Sequence, residues 1–146
     1  MTKRVQIVRA LAEVFKSIDG TGPYTTNLQE QSYPKLKFWD EVNDFPSVYL
    51  SPGTEVREYH PADFAWGMLG VCVKVYCKSE DNSQEQLEAL LGDLETCINA
   101  NRQLIYDADK NYETTEILID SITTDEGLLA PYAVGEINLQ VRYQIM

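Results

Sequence analysis

Between Gly135 and Met146 apolar and polar residues alternate without a break, Ile137, Leu139, Val141, Tyr143 and Ile145 against Glu136, Asn138, Gln140, Arg142 and Gln144. Side chains change face at every residue of a strand, so this stretch predicts a strand with one dry and one wet face. A one-residue slip would bury the whole polar set, and the pattern therefore fixes register. From Thr2 to Ile18 the period is helical instead: Val5, Val8, Leu11, Ala12, Phe15 and Ile18 recur on one stripe, with Arg4, Arg9, Glu13 and Lys16 mostly elsewhere. Asp19-Gly20-Thr21-Gly22-Pro23 ends that helix, because the glycines allow left-handed turns and Pro23 cannot continue it. A second helix follows the polar break Lys78 to Asn82. Ser83 with Gln86 three residues later predicts a capping box, Leu87, Leu90, Leu91, Leu94 and Ile98 form the stripe, and Gln84, Glu85, Glu88, Asp93 and Glu95 fall elsewhere or near the N-terminal end.

The segments between are read in the same way. Phe45 to Leu50 is a short strand, Ser51-Pro52-Gly53 turns the chain, and residues 54–64 form the protruding end of a long hairpin at about 51–66. Its return arm, Ala65 to Cys77, places Leu69, Val71, Val73, Val75 and Cys77 on one side. Leu104 to Tyr106 and Ile117 to Thr124 are further strands around the acidic loop Asp107 to Glu116, and Asp125-Glu126-Gly127 is a turn. Residues 24–44 lack a sustained period, apart from a short strand at Tyr24 to Leu28. Phe38 and Trp39 lie there, and since burying such a ring is worth about 2 kcal/mol, both should anchor against the core or a partner. The order of elements predicts one α+β domain over residues 1–146, a mostly antiparallel sheet of about four main strands with two helices packed on one face. The other sheet face is left polar and available.

Composition narrows the chemistry. The chain has 146 residues, enough for one compact core, and no apolar run approaches the roughly 18 residues of a membrane span. Lys3 and Arg4 lead straight into the first helix, so no secretory leader is expected. A formal charge of −11 disfavours binding to phosphate backbones, which needs clustered Lys and Arg. Cys72, Cys77 and Cys97 are an odd number without C-x-x-C spacing and read as reduced core thiols. Asp107-Ala108-Asp109-Lys110-Asn111-Tyr112-Glu113 opens like a calcium loop but has Tyr112 where the sixth position needs Gly and Leu118 where the twelfth needs Glu. His60 is the one histidine and has no second nitrogen or sulfur ligand nearby in sequence. No nucleophile elbow, phosphate loop or His-x-x-x-His run is present. No catalytic residue, cofactor or metal is assigned. An acidic domain rich in aromatics and poor in reactive groups points to action by binding other proteins.

The stretch Phe38-Trp39-Asp40-Glu41-Val42-Asn43-Asp44-Phe45-Pro46, with Tyr49-Leu50, Arg57-Glu58-Tyr59, and Ser121-Ile122-Thr123-Thr124-Asp125-Glu126-Gly127 leading into Gly135-Glu136, resembles the tail terminator proteins of long-tailed bacteriophages, similar in fold to the lambda tail terminator. The resemblance implies a structural virion protein and no enzyme: a ring of six copies on the capsid-proximal end of the tail tube, which stops tube polymerisation and joins the tail to the neck. The implied partners are further copies of the chain, the tail tube protein, a neck or head-completion protein, and a sheath protein if the tail contracts. DNA would pass through without being specifically bound, and no membrane is involved. Candidate subunit or partner contacts are Arg57, Glu58, Tyr59, His60 and Phe64 of the hairpin, the tryptophans Trp39 and Trp66, and Arg142 on the last strand. The alternative is a small acidic enzyme or ligand-binding domain, which requires paired carboxylates roughly 5 to 9.5 Å apart in a pocket.

Overall fold

The computed structural model describes residues 1–146. Helix α1 spans Lys3–Phe15, and the Thr2 hydroxyl caps it by accepting from the Val5 amide at 3.3 Å. It stops three residues before Ile18, which is buried all the same because a tight turn carries it under the helix end. Strand β1 is the pair Ser32–Tyr33, β2 runs Ser47–His60, β3 Phe64–Lys78, α2 Ser83–Ala100, β4 Ile105–Asp107, β5 Tyr112–Glu113, β6 Glu116–Thr124 and β7 Tyr132–Gln144. The main sheet has the order β1-β2-β3-β7-β6, antiparallel except for the parallel β1–β2 pair, while β4 and β5 make a separate small hairpin. This is the expected α+β fold.

The dry face of β7 lies in the core as its alternation requires, with Ile137, Leu139, Val141 and Tyr143 beside Leu69, Val71, Val73 and Val75 of β3. Helix α1 covers the β1/β2 side of this face, and α2 covers β3, β7 and β6. No helix is long and apolar enough to cross a membrane. Gly135 lets α2 approach, since a Cβ there would stand 3.1 Å from a methyl of Leu87.

Four local expectations are corrected. The chain does not turn at Ser51-Pro52-Gly53: β2 continues to His60, and these residues form a bulge in which Pro52 pairs with Val71 and Glu55 with Leu69. Outside its contact with β1, β2 is an edge strand, where proline is tolerated. The reversal comes at Pro61-Ala62-Asp63, with Ala62 and Asp63 at φ of 69° and 57°. The capping box of α2 is not made. Ser83 is already inside the helix, and Gln86 reaches back instead to the Asn82 side chain at 3.1 Å. Tyr24 to Leu28 is not a strand but a loop held by one bridge, Asp19 to Asn27, and by Asp93. Asp93, expected on the polar side of α2, is 5% exposed; its carboxylate accepts from the amides of Thr25 (3.1 Å) and Thr26 (2.7 Å) and from the Thr26 hydroxyl.

All three cysteines are free thiols. Burial pushes the Cys77 thiol up to about 12 and raises that of Cys97. Cys72, half-buried on the opposite side of β3 from Cys77, donates to Glu136 at 3.0 Å; burial and then that carboxylate push it up to about 11.

The turn after β6 is organised by Asp125, whose carboxylate accepts from the amides of Leu129 (3.0 Å) and Val134 (3.1 Å) and from Gln84 of α2 (2.8 Å). Burial alone would raise its pKa, but these donors outweigh it and hold the group below its usual range. Glu136 is depressed as well, by the Cys72 thiol and then by Lys74. A depressed folded pKa contributes stability that is complete above the unfolded value of about 4 and is lost as pH falls through the folded value. The melting temperature is therefore expected to change little between roughly pH 7 and 5 and to drop below about pH 4, with Asp125→Asn reducing the slope of that drop. Calorimetry at stepped pH reads this, and an unchanged slope in the variant would count against the role given to Asp125.

Candidate assembly surfaces

On the sheet face away from the helices, alternate residues of β2, β3 and β7 bring part of the expected contact set together at the hairpin end. Glu58 pairs with Trp66, His60 with Phe64, and Arg142 with Met68, so Glu58, His60, Phe64, Trp66 and Arg142 share this face. Their rings form a row, with His60 to Phe64 at 5.9 Å and Phe64 to Trp66 at 5.2 Å, the latter edge to face. The Arg142 guanidinium stacks on the Trp66 ring at 4.7 Å, and its Nε is buried with no hydrogen-bond partner. His60 lies 3.1 Å from Glu58. Phe64, Trp66 and Arg142 are each half-buried at the surface, and a cation held on an indole beside two further rings is the type of anchor that dominates protein interfaces.

The remaining candidates lie elsewhere. Arg57 and Tyr59 point to the helix side of the hairpin. There Arg57 pairs with Glu55 at 2.6 Å, whose other oxygen takes the hydroxyl of the buried Tyr143, while Tyr59 is exposed. Trp39 is at the opposite end of the open face. Tyr76, which lies at that end, is ten residue steps from Trp66, a distance of about 33 Å along β3.

That far end is not open as expected. The loop from Tyr33 to Pro46 wraps the sheet edge and buries a second small core of Val42, Tyr49 and Tyr76 on the open face. Asp44 accepts from the hydroxyls of Tyr33 (2.7 Å) and Tyr49 (3.3 Å), and Tyr76 donates to the Lys37 carbonyl. The Asp44 hydrogen bond, with burial behind it, pushes Tyr33 up to about 12. Trp39 meets Tyr132 edge-on at 5.5 Å. Phe38, in contrast, is 74% exposed; with Leu36, Trp39, Tyr76 and Val134 it lines a cleft of about 290 Å³. Sequence reasoning missed Leu36 and also Leu128, which is 85% exposed on the turn after β6, because an apolar residue in an aperiodic loop carries no signal of which way it faces.

A larger cleft of about 690 Å³ lies between the start of α1, the β4–β5 hairpin and the C-terminal residues, lined by Lys3, Tyr106, Tyr112 and Glu113 among others. Each of these two clefts contains one carboxylate side chain, Glu113 in the larger and Glu41 in the smaller, so neither has the Asp/Glu pair that the enzyme alternative requires. The calcium-like run forms the β4–β5 hairpin tip, where Asp107 accepts from Gln6 (3.0 Å) and from the Lys110 amide (3.2 Å).

Comparison with known proteins identifies the family of the chain. The family described as "Bacteriophage Tail Tube Terminator Protein" matches residues 1–146. The tail tube terminator protein p142 of Escherichia phage T5 is 37% identical over 153 residues, covering 99% of this chain and 95% of that protein. Among solved structures, a chain from the virion of a native gene transfer agent particle superposes with a TM-score of 0.53 at 10% identity, covering 97% of this chain and 92% of that one, a likeness of fold. By family match and close relative together, this chain belongs to the bacteriophage tail tube terminator proteins, structural components of the virion tail and not enzymes.

Proposed function

We propose that six copies of the chain form a closed ring on the capsid-proximal end of the tail tube, end its polymerisation and join the tail to the neck. The observation that carries this reading is the half-buried row of Phe64, Trp66 and Arg142 at one end of the open sheet face, with an exposed apolar group, Leu36 and Phe38, at the other end. A protein that acts alone seldom leaves two such sites in water, whereas one that meets a neighbour at each end needs both. The partners are other copies of the chain, the tail tube protein, a neck or head-completion protein, and sheath if the tail contracts. The net charge of −11 suits a part that DNA must slide past without adhering.

The test is mass measurement by light scattering with and without tubes of the tail tube protein, together with Trp66→Ala in phage complementation. The wild type is expected as a six-copy ring, free or on tube ends. Trp66→Ala should keep its circular dichroism spectrum, weaken assembly by about 2 kcal/mol, roughly 30-fold, and give tails of irregular, excessive length. A chain that stays monomeric even with tubes present, or a folded Trp66→Ala that terminates tails normally, would refute the assignment.

A further inference from the structure

We infer that neighbouring copies join through their sheet edges, the free edge of β6 pairing antiparallel with the outer edge of the distal half of β2 in the next copy. This rests on the ring reading and adds the contact that closes it. The sheet has two ends. β6 has no partner on its outer side, and β2 has none beyond the two residues that pair with β1. Each edge therefore presents a row of unsatisfied backbone donors and acceptors, the usual template for strand addition.

Three observations select a second copy as the occupant. The first is direction: successive strands from β2 through β3 and β7 to β6 are all antiparallel, so β2 and β6 run in opposite senses. A copy added by rotation about an axis roughly along the strands thus brings β2 against β6 antiparallel and continues the sheet. The second is apolar matching, since both edges expose apolar residues on both faces. On the open face β2 offers Val56, 63% exposed, which can stand opposite Leu118 of β6, 37% exposed; on the helix face each edge exposes one further apolar residue, Tyr59 and Ile122, at opposite ends of that register. Such cross-strand pairs are the unit of sheet stability.

The third is charge. The flank formed by α2 and β6 carries Glu85, Glu88, Glu95, Glu116 and Asp120 and has no Lys or Arg at all. The flank formed by α1 and β2 carries Lys3, Arg4, Arg9 and Arg57 against Glu13, Glu55 and Glu58, so it is on balance positive, with its basic excess on α1. Acidic flank against acidic flank is repulsive, so two copies do not pair symmetrically through β6. Acidic against basic is favourable, and a head-to-tail contact of this kind closes into a ring. The bulge in each edge, at Pro52/Glu55 and at Ile119/Ser121, breaks the flat run that would pair indiscriminately with any strand.

Cysteine pairs test this. Val56 and Leu118 lie on opposite edges, separated by β3 and β7, about 14 Å in three strand spacings, so they cannot bridge within one chain. Val56→Cys is combined in turn with Glu116→Cys, Leu118→Cys and Thr123→Cys, which share the open face, and each protein is mildly oxidised free and on tubes. At least one pair is expected to give a ladder of disulfide-linked chains on a non-reducing gel, ending at the closed ring. The wild type and each single variant should give none. A ring present by light scattering with no ladder from any pair overturns the edge contact and leaves the ring standing, as does a dimer from Val56→Cys alone, which would mean that β2 meets itself. No ring in any condition overturns both. In a second arm, Arg9→Glu should weaken the ring at least tenfold and Glu88→Arg should restore it in part; the absence of any effect from either change would remove the charge argument.

Discussion

Replacing Asp93 by Ala is expected to lower the unfolding free energy by about 3 kcal/mol and the melting temperature by roughly 6 to 12 °C, the largest loss from any single polar side chain in the molecule. The carboxylate is 5% exposed and accepts two backbone amides and a hydroxyl from Thr25 and Thr26. Removing it breaks three charge-assisted hydrogen bonds to a half-exposed loop and leaves an apolar methyl in a site shaped for a carboxylate. The effect spreads because the same loop delivers Leu28, fully buried between the helices and the sheet. Asp93→Asn keeps the shape and one acceptor oxygen but turns an amide toward donors, and should cost about half as much. Urea unfolding with an unchanged slope reads both values. An Ala variant within about 0.5 kcal/mol of wild type would show that the loop is held by something else.

Gly67→Ala is expected to cost about 2 to 3 kcal/mol although only a methyl group is added. A Cβ at Gly67 would stand 2.8 Å from Cε1 and 3.1 Å from Cζ of Tyr143. That ring cannot retreat, because Tyr143 is fully buried, stacks edge-on with Tyr106 at 6.3 Å and is tethered through its hydroxyl to Glu55, itself held by Arg57. Trimming the ring should release the clash, so Gly67→Ala with Tyr143→Leu should lose at least about 1 kcal/mol less than the two single losses added. Simple additivity in that cycle would mean that the close approach is not what constrains residue 67.

Much of the architecture was legible in the chain. The alternation of β7 and the leucine stripe of α2 each encode one face with one period, and both lie as that period requires. The loop from Tyr33 to Pro46 was not legible, because its order comes from single contacts such as Tyr76 to Lys37 and Tyr33 to Asp44 that leave no period. Asp93 was misplaced for a related reason: its partners lie about 67 residues away in another loop, and a carboxylate beside a leucine stripe reads as solvated until they are known. The candidate contact set was split by parity. Val48 and Leu50 face the helices, but the extra residue in the bulge makes Glu55, Arg57 and Tyr59 do so next and sends Glu58 and His60 to the open face. Proline and glycine announce a break in regularity, and sequence alone does not distinguish a bulge from a reversal.

The state of the three thiols bears on the life of the particle. A phage tail is assembled in a reducing host and must then persist in aerated surroundings, where exposed thiolates are oxidised or cross-linked. Cys77 and Cys97 are sealed in the interior, and Cys72 is held protonated against Glu136, so none offers the sulfur anion on which such chemistry starts. The chain can therefore leave the cell with its three cysteines unchanged, with no reductant to maintain them.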